Sequence, residues 1–347
     1  MNTREHNFNF SATGIGSVPF FEVEETCRRI IRNTPEVPFW PQFVNRDCHE
    51  DMVIQYSQGL PLLDIIEEKR SLQISDTQDR ENALVEFYDH FLSQDLDHFA
   101  ISREFAPGLY WLTENVDRDE SGYIKGQTVG PITFAAGISD LNGNAVLHNS
   151  ELFEAFTQGL AIKALWQVKK LASTGRKTII FLDEPYLSGF GSAFTSIQRQ
   201  DVIQTLQTVT DYLKGNSDTL VGIHCCGNSD WPMILDTHID IINFDAFEFM
   251  DHFLLYPNEI SDFLEKGGSI AWGIVPTTGL TLELTASELF ERLEKGLNNL
   301  SKKGIDTGIL ASSSLITPAC GMGTMNPKLA ERGIDLLSEL KSMCVSG

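Results

Sequence analysis

The sequence has no long apolar run and few basic residues. No window of about 18 uninterrupted apolar residues is present, as a membrane-spanning helix would require. The N-terminus, MNTREHNFNF, is polar and charged, whereas a signal peptide needs a basic start and an apolar stretch. We therefore expect a cytoplasmic protein. With 26 Lys and Arg against 48 Asp and Glu, the formal net charge is −22. This charge repels phosphate backbones and anionic lipid, so binding to nucleic acid or membrane is not expected.

The chain also lacks features that would divide it. We find no low-complexity segment, no repeat and no Pro/Gly/Ser linker, so one domain over residues 1–347 is predicted. The apolar fraction of 42% is that of a globular protein with a sizeable core. Six cysteines in a reducing cytosol are not a disulfide framework, so each is a packed residue, a reactive thiol or a metal ligand.

The pattern of apolar residues predicts an α/β fold. From about residue 150 onward, runs rich in β-branched residues alternate with segments of helical period, as in βα units around a parallel sheet. The candidate strands are 12–19, 38–44, 98–102, 123–131, 177–185, 218–224, 239–245, 269–276 and 306–312. No Gly-x-Gly-x-x-Gly turn joins a strand to a helix, which favours a (β/α)8 TIM barrel over an open doubly wound sheet.

Helices are predicted between and after these strands. The segment 196–215 carries apolar residues at helical spacing, and Gly215 stands where a left-handed cap would end the helix. Residues 150–172 have the same period. Asn326 and Pro327 form an N-cap and first-turn pair that opens a C-terminal helix.

In such a barrel the reacting residues collect at the carboxyl ends of the strands. In chain order these ends carry Ser17, Thr133, Asp183 with Glu184, His224 with Cys226, Asp245, Gly273 and the turn before Cys320. His224 and Cys226 project to the same side of an extended chain, so both can reach one ion. Cys320 is placed for a third position, and one oxygen or nitrogen ligand would complete a tetrahedral zinc site. Alternatively, His224 is a hydrogen-bonded core residue. Cys225 points the other way and is expected to pack.

Six motifs carry a resemblance to a known family. They are GIGS (14–17), GPIT (130–133), LDEP (182–185), HCCGN (224–228), INFDAF (242–247) and PACG (318–321). In this order they resemble the C-terminal catalytic barrel of cobalamin-independent methionine synthases. HCCGN and PACG are equally similar to zinc methyltransferases that act on coenzyme M, which share the uroporphyrinogen-decarboxylase type of barrel. The resemblance implies a zinc-dependent thiol methyltransferase, most simply one that converts homocysteine to methionine.

The resemblance also implies roles for individual residues. Zinc would be held by His224, Cys226 and Cys320, with Asp245 as the further ligand in place of the family's glutamate and Glu248 as the substitute for Asp245. Asp183 would be the catalytic residue that receives the amino group of the acceptor, and Glu184 beside it would also contact the substrate. Alternatively, Asp183 or Glu184 caps the following helix. The segment Ile15, Gly16, Ser17 would hold the acceptor's carboxylate.

Two departures from the family bear on the substrates. Full-length members have an N-terminal barrel that helps to bind the folate donor, and nothing precedes GIGS here that would supply one. The family's Gly-Glu element before Asp51-Met52-Val53 is replaced by Asn45 and Arg46. We therefore expect methylcobalamin or a methylated corrinoid protein as the donor. Aromatic residues in 39–43, 104–112 and 247–257 would form exposed loops on which such a partner docks; alternatively, these rings pack at the rim of the barrel.

Other functions stay open at this point. The acceptor could be coenzyme M or another small thiol, with a methylated corrinoid as the donor. A metal-free decarboxylase of the uroporphyrinogen kind would need an arginine-rich cavity for its polyanionic substrate, and arginine is scarce at the strand ends. A non-catalytic corrinoid-binding or zinc-carrying module is a further alternative, although the chain has no Asp-x-His-x-x-Gly run.

Overall fold

The computed structural model describes residues 6–119, 121–192 and 197–346. The strands are β1 Ser11–Ala12, β2 Leu63–Ile66, β3 Ser71–Ile74, β4 Tyr123–Val129, β5 Lys177–Asp183, β6 Leu220–Cys225, β7 Ile241–Phe244, β8 Ser269–Val275 and β9 Ser314–Pro318. The helices are α1 Val23–Asn33, α2 Arg80–Leu92, α3 Pro107–Asn115, α4 Pro131–Ala136, α5 Ser150–Ala172, α6 Arg199–Asn216, α7 Trp231–Leu235, α8 Ala246–Phe253, α9 Pro257–Glu265, α10 Ala286–Lys302, α11 Thr307–Ser312 and α12 Pro327–Ser346. Among the described residues, none of these helices is long and apolar enough to span a membrane.

Seven of the described strands form one curled parallel sheet in the order β1-β9-β8-β7-β6-β5-β4. Strands β4 to β9 are buried along almost their whole length, as the continuous apolar runs predicted. β2 and β3 form a separate antiparallel hairpin. The expected α/β architecture is confirmed as a TIM-like barrel, although the sheet is not fully closed.

The segment 38–42 lies in the gap between β4 and β1. The backbone N–H of Lys125 donates to Pro38 O (2.8 Å), and on the other side the N–H of Gln42 donates to Gly16 O (3.0 Å). Only isolated bridges result, Phe39 with Lys125 and Ser17 with Gln42. Pro38 and Pro41 have no N–H to donate, so a regular strand cannot form there. The predicted eighth strand is thus a set of bridges.

Two predicted strands are wrong. Residues 98–102 contain no strand. Residues 306–312 instead form α11, which Asp306 caps by accepting the N–H of Ile309 (2.9 Å). The last strand of the barrel is β9, whose residues are all buried.

Two of the long helices, α5 and α12, begin where the sequence predicted. α5 covers 150–172, and α12 begins at Pro327, where Asn326 accepts the N–H of Lys328 (3.0 Å). The predicted cap at Gly215 is wrong, because α6 continues to Asn216 and its φ is not positive at Gly215.

The aromatic residues of 39–43 are not a docking surface. Phe39, Trp40 and Phe43 are fully buried, because this segment fills the gap in the barrel wall. Phe253 is likewise buried, and Phe247 and Phe249 are half-buried. The expectation of a docking surface is therefore wrong for Phe39, Trp40, Phe43 and Phe253, for which the alternative of packing is correct.

Candidate metal centre

His224, Cys226 and Cys320 meet at the carboxyl ends of the barrel strands. His224 lies in β6, Cys226 follows the last residue of that strand, and Cys320 lies two residues beyond the end of β9. The ligand atoms of the three side chains all lie within 4.8 Å of one another. β7 and β8 separate the two strands in the sheet, so the loop after β9 brings Cys320 inward across the mouth. One imidazole and two sulfurs are a donor set that zinc prefers.

The contacts of His224 leave one of its ring nitrogens available as a metal ligand. Nδ1 lies 2.5 Å from Oδ1 of Asn243, and the Nδ2 group of Asn243 donates to Ala271 O and to Thr317 Oγ1, both at 2.8 Å. Because those contacts orient the amide, Asn243 Oδ1 can only accept, and Nδ1 of His224 must carry the proton. In the neutral imidazole Nε2 then has a free lone pair, and this buried atom forms no hydrogen bond of good geometry in the described structure, while the ring lies against the Cys226 thiol. An orphaned buried acceptor of this kind fits a metal ligand.

The two sulfurs compete for a single proton. Interaction with Cys320, and then with His224, lowers the pKa of the Cys226 thiol to about 4. The same contact with Cys226, together with burial, raises the pKa of the Cys320 thiol. Two adjacent sulfurs that cannot both ionise by themselves form a site that a cation would complete. Cys225 is fully buried, as predicted, and burial raises the pKa of its thiol to about 12.

The predicted fourth ligand, Asp245, makes a contact of another kind. Asp245 is the N-cap of α8, and its side chain accepts the N–H of Glu248 (2.9 Å). Glu248 itself is exposed. Among the described residues, the group around His224 includes neither carboxylate. The described chain thus brings three ligand atoms together here, and a tetrahedral metal held by them would have one position for a further ligand.

A cavity of about 540 Å³ opens over the three ligands. Its apolar lining consists of Ile15, Val44, Met52, Val53, Ile54 and Pro185. Asp183, the last residue of β5, also faces this cavity and is only 5% exposed. One of its oxygens, Oδ1, is buried without a hydrogen-bond partner. Burial raises the pKa of Asp183 to about 6, although His224 and Lys125 act in the opposite direction.

Glu184 does not take part in the cavity. Its carboxylate accepts the N–H groups of Ile132 (2.9 Å) and Thr133 (2.8 Å) and the hydroxyl of Thr133 (2.6 Å). It thus binds the first turn of α4, not a substrate and not the helix that follows it in the chain. The prediction that Glu184 contacts the substrate is corrected, because both of its oxygens are already occupied by donors.

The segment Ile15–Ser17 lies at the cavity as predicted. Ile15 and Ser17 line it. Gly16 lies so close to two glutamine side chains that a Cβ atom there would stand 2.4 Å from Gln42 Oε1 and 2.8 Å from Gln127. A side chain at this position would have to displace one of these two buried amide groups.

Arg70 is the one cationic side chain of the described cavity lining. It forms a bidentate ion pair with Asp51, in which Nε and Nη2 lie 2.7 Å and 2.6 Å from the two carboxylate oxygens. Nη2 also donates to Val44 O (2.5 Å). Arg46, which replaces the family's glutamate, turns instead to the buried Glu50 (3.1 Å).

Comparison with known proteins identifies the barrel. No model of a protein family matches the chain, and no curated protein matches it. Among solved structures, the chain is similar to a B12-independent methionine synthase from Shewanella sp. W3-18-1 in complex with selenomethionine. The two have 16% sequence identity and a TM-score of 0.59, over 96% of this chain and 97% of the other. The two chains share a fold. At this identity the similarity establishes the architecture and leaves the activity to be argued from the site.

Two polar residues at the site have roles that the sequence did not reveal. Asn243 holds His224, and Lys125 lies fully buried inside the barrel. Asn243 interrupts an otherwise apolar run in INFD, and Lys125 is the charged residue of the buried strand YIKGQTV, which also carries Gln127 and Thr128. A polar side chain inside a buried strand is costly unless it is hydrogen-bonded, so these interruptions were the available signal.

A second group of possible ligands, Asp47, Cys48 and His49, stands on one short turn. Asp47 already accepts the N–H of His49 (2.9 Å), and all three side chains are partly exposed. These contacts are those of an ordinary capped turn.

Proposed function

We propose that this chain is a zinc-dependent methyltransferase whose acceptor is a thiol, with homocysteine as the substrate and methionine as the product. The observation that carries this proposal is the convergence of His224, Cys226 and Cys320 beneath a cavity that also contains Asp183. Bound zinc would lower the pKa of an acceptor thiol while leaving its sulfur nucleophilic. Sulfur-rich ligands favour this use over the activation of water.

The residues around the ligands supply the remaining requirements of this chemistry. Asn243 fixes the imidazole of His224 in the tautomer that presents Nε2. The apolar lining contributed by Val44, Met52 and Ile54 excludes water from the space where the methyl group would be transferred. Asp183 provides a carboxylate oxygen without a partner, which suits an ammonium group.

Asp183 and Arg70 together favour an amino-acid thiol over coenzyme M. A sulfonate needs an uncommitted cation, but the guanidinium of Arg70 is already paired with Asp51. A thiol with an ammonium group finds the free oxygen of Asp183. The coenzyme M alternative therefore has less support.

A metal-free decarboxylase of the uroporphyrinogen type is also poorly supported. Its polyanionic substrate would need several cationic side chains. In the described lining, Arg70 is the only one.

The methyl donor expected from the sequence is not part of this proposal. The similar structure is that of a B12-independent enzyme, which gives no support to a methylated corrinoid or to a corrinoid partner protein. The assay below therefore compares donor classes without assuming one.

The test measures zinc and methyl transfer in the same protein samples. We expect the purified protein to contain one zinc per chain and to form methionine from homocysteine with either methyltetrahydrofolate or methylcobalamin as the donor. Cys226→Ser and Cys320→Ser should lose both zinc and activity. Cys225→Ser is the matched control, because this neighbouring thiol packs in the core.

Each part of the proposal has its own contrary result. Undiminished zinc in Cys226→Ser and Cys320→Ser would show that the metal lies elsewhere or is absent from the mechanism. If zinc content depends on these cysteines but only other thiols demethylate a donor, the metal centre stands and homocysteine is not the acceptor.

A further inference from the structure

Lys125 is buried in the barrel below the cavity. It lies in β4 with no exposed surface, and its Nζ group stands 4.5 Å from the centre of the Phe181 ring. Nζ donates to the backbone oxygen of Ile15 (2.7 Å) and to Oε1 of Gln127 (3.2 Å). No carboxylate of the described residues is hydrogen-bonded to it. Burial lowers the pKa of Lys125 to about 7, although Asp183 acts in the opposite direction, and burying such a group has a cost that packing alone does not explain.

The contact with Ile15 orients the peptide that follows. In a trans peptide unit the C=O and N–H groups point in opposite directions, so anchoring Ile15 O on Lys125 turns the N–H of Gly16 away from the barrel interior. The next unit is fixed in the same manner, because Gly16 O accepts the N–H of Gln42 (3.0 Å). This directs the N–H of Ser17 away from Gln42. Neither the Gly16 nor the Ser17 N–H group has a hydrogen-bond partner among the described residues.

We propose that Lys125 is a positioning residue for the acceptor's carboxylate, because it holds the segment Ile15–Ser17 so that the N–H groups of Gly16 and Ser17 can bind that carboxylate. Successive unpaired backbone N–H groups are a common anion-binding arrangement. Ile15 and Ser17 already line the cavity. This inference rests on the proposed function and adds how the carboxylate end of the acceptor is selected.

The ammonium group of the acceptor would be bound by another residue. Asp183 has the unpartnered oxygen, so the ammonium and carboxylate groups of one amino-acid thiol have separate receptors. Four thiols then separate the two contributions. Homocysteine carries both groups, cysteamine only the amine, mercaptopropionate only the carboxylate, and mercaptoethanol neither.

The experiment measures binding of each thiol to cobalt(II)-loaded protein through the absorbance of the sulfur-to-cobalt transition. We compare wild type, Lys125→Met and Lys163→Met. Lys163 is a matched control, since it is fully buried and its Nζ donates to two backbone oxygens, of Gln58 and of Phe99, outside the cavity lining. Asp183→Asn serves as the variant for the other end of the acceptor.

Lys125→Met should lower the affinity for homocysteine and mercaptopropionate by about tenfold, as expected when a buried hydrogen bond that orients the carboxylate site is lost. The affinity for cysteamine and mercaptoethanol should be unchanged. Asp183→Asn should weaken homocysteine and cysteamine instead. Lys163→Met should lower thermal stability without changing the order of the four thiols. Cobalt content should be the same in all proteins.

Two results would overturn the inference. If Lys125→Met affects all four thiols equally, or none, Lys125 has a structural role only. If wild type binds cobalt but none of the thiols, the proposed function fails, and the role of Lys125 fails with it. If wild type prefers homocysteine and Lys125→Met keeps the same preference, the proposed function stands and only the role of Lys125 is disproved.

Discussion

The imidazole of His224 and the amide of Asn243 are joined by a hydrogen bond of 2.5 Å between Nδ1 and Oδ1. The two residues are register partners on the adjacent strands β6 and β7. Asn243 uses both of its amide protons elsewhere, on Ala271 O and Thr317 Oγ1. The sheet therefore determines which nitrogen of His224 faces the two sulfurs.

This relationship predicts that Asn243 controls zinc affinity without touching zinc. Asn243→Leu keeps a similar volume but removes the acceptor for Nδ1, so His224 is free to change tautomer or rotate. We expect zinc affinity to fall by about 10- to 100-fold, as for other partners of metal-bound histidines. Competition with a chromophoric chelator measures the affinity, and the imidazole nitrogen NMR shifts of the metal-free protein report the tautomer.

Thr317→Val is the control for Asn243→Leu. It removes one contact of the Asn243 amide and leaves the contact with His224, so its effect on zinc should be smaller. Equal zinc affinity in Asn243→Leu and wild type would disprove the role of the amide.

Substitution of Asp245 distinguishes its role as a helix cap from a role as a metal ligand. Since its side chain accepts the N–H of Glu248, Asp245→Ala should lower the free energy of unfolding by about 1 kcal/mol. The zinc content should be unchanged. Asp245→Asn, which preserves the cap, should restore stability.

The comparison with Glu248→Ala completes this test. Glu248 is exposed, so Glu248→Ala should change neither the free energy of unfolding nor the zinc content by much. Loss of zinc in Asp245→Ala but not in Glu248→Ala would make Asp245 the fourth ligand after all.

Zinc should protect two cysteines from alkylation. In the metal-free protein Cys226 and Cys320 are partly accessible at the cavity, whereas Cys225 is fully buried. We expect iodoacetamide to modify Cys226 and Cys320 rapidly and Cys225 slowly, as shown by mass spectrometry of peptides. Adding zinc first should slow the modification of Cys226 and Cys320 only. Cys48 reports general reagent access, and equal protection of Cys48 would point to a change of fold instead.

The sequence predicted the parts of the barrel that depend on local patterns. β5, β7 and β8 fall within the predicted apolar runs, and β6 ends one residue beyond its run, because strands buried on both faces must be continuously apolar. His224 and Cys226 were found from the geometry of an extended chain, and their approach to Cys320 is present in the structure.

The errors came from contacts that local patterns do not encode. The run 306–312 has strand composition, but Asp306 caps it as a helix. Glu184 stands beside Asp183 in the motif, yet its side chain turns to Thr133, more than fifty residues away in the chain. Aromatic residues of 39–43 fill a gap in the barrel that only the tertiary structure defines.

The buried carboxyl of Glu184 gives a prediction for the dependence of stability on pH. Burial raises its pKa in the folded chain from 4.5 to about 7, against the effect of the donors on Thr133 and Ile132. A carboxyl with a raised folded-state pKa binds more protons in the folded than in the unfolded chain between these two values. Its contribution to the free energy of unfolding therefore falls as the pH rises through this window, by about 3 kcal/mol at most.

Glu184→Gln tests this sign, because glutamine does not titrate. The difference in unfolding free energy between wild type and Glu184→Gln, taken from urea titrations at several pH values, should decline from pH 4.5 to 7 and then level off. Glu294→Gln, at an exposed site on α10, controls for the chemical change itself. A difference that stays constant across this window would mean that the three donors keep Glu184 ionised throughout. The contact with α4 would then outweigh the cost of burying the charge.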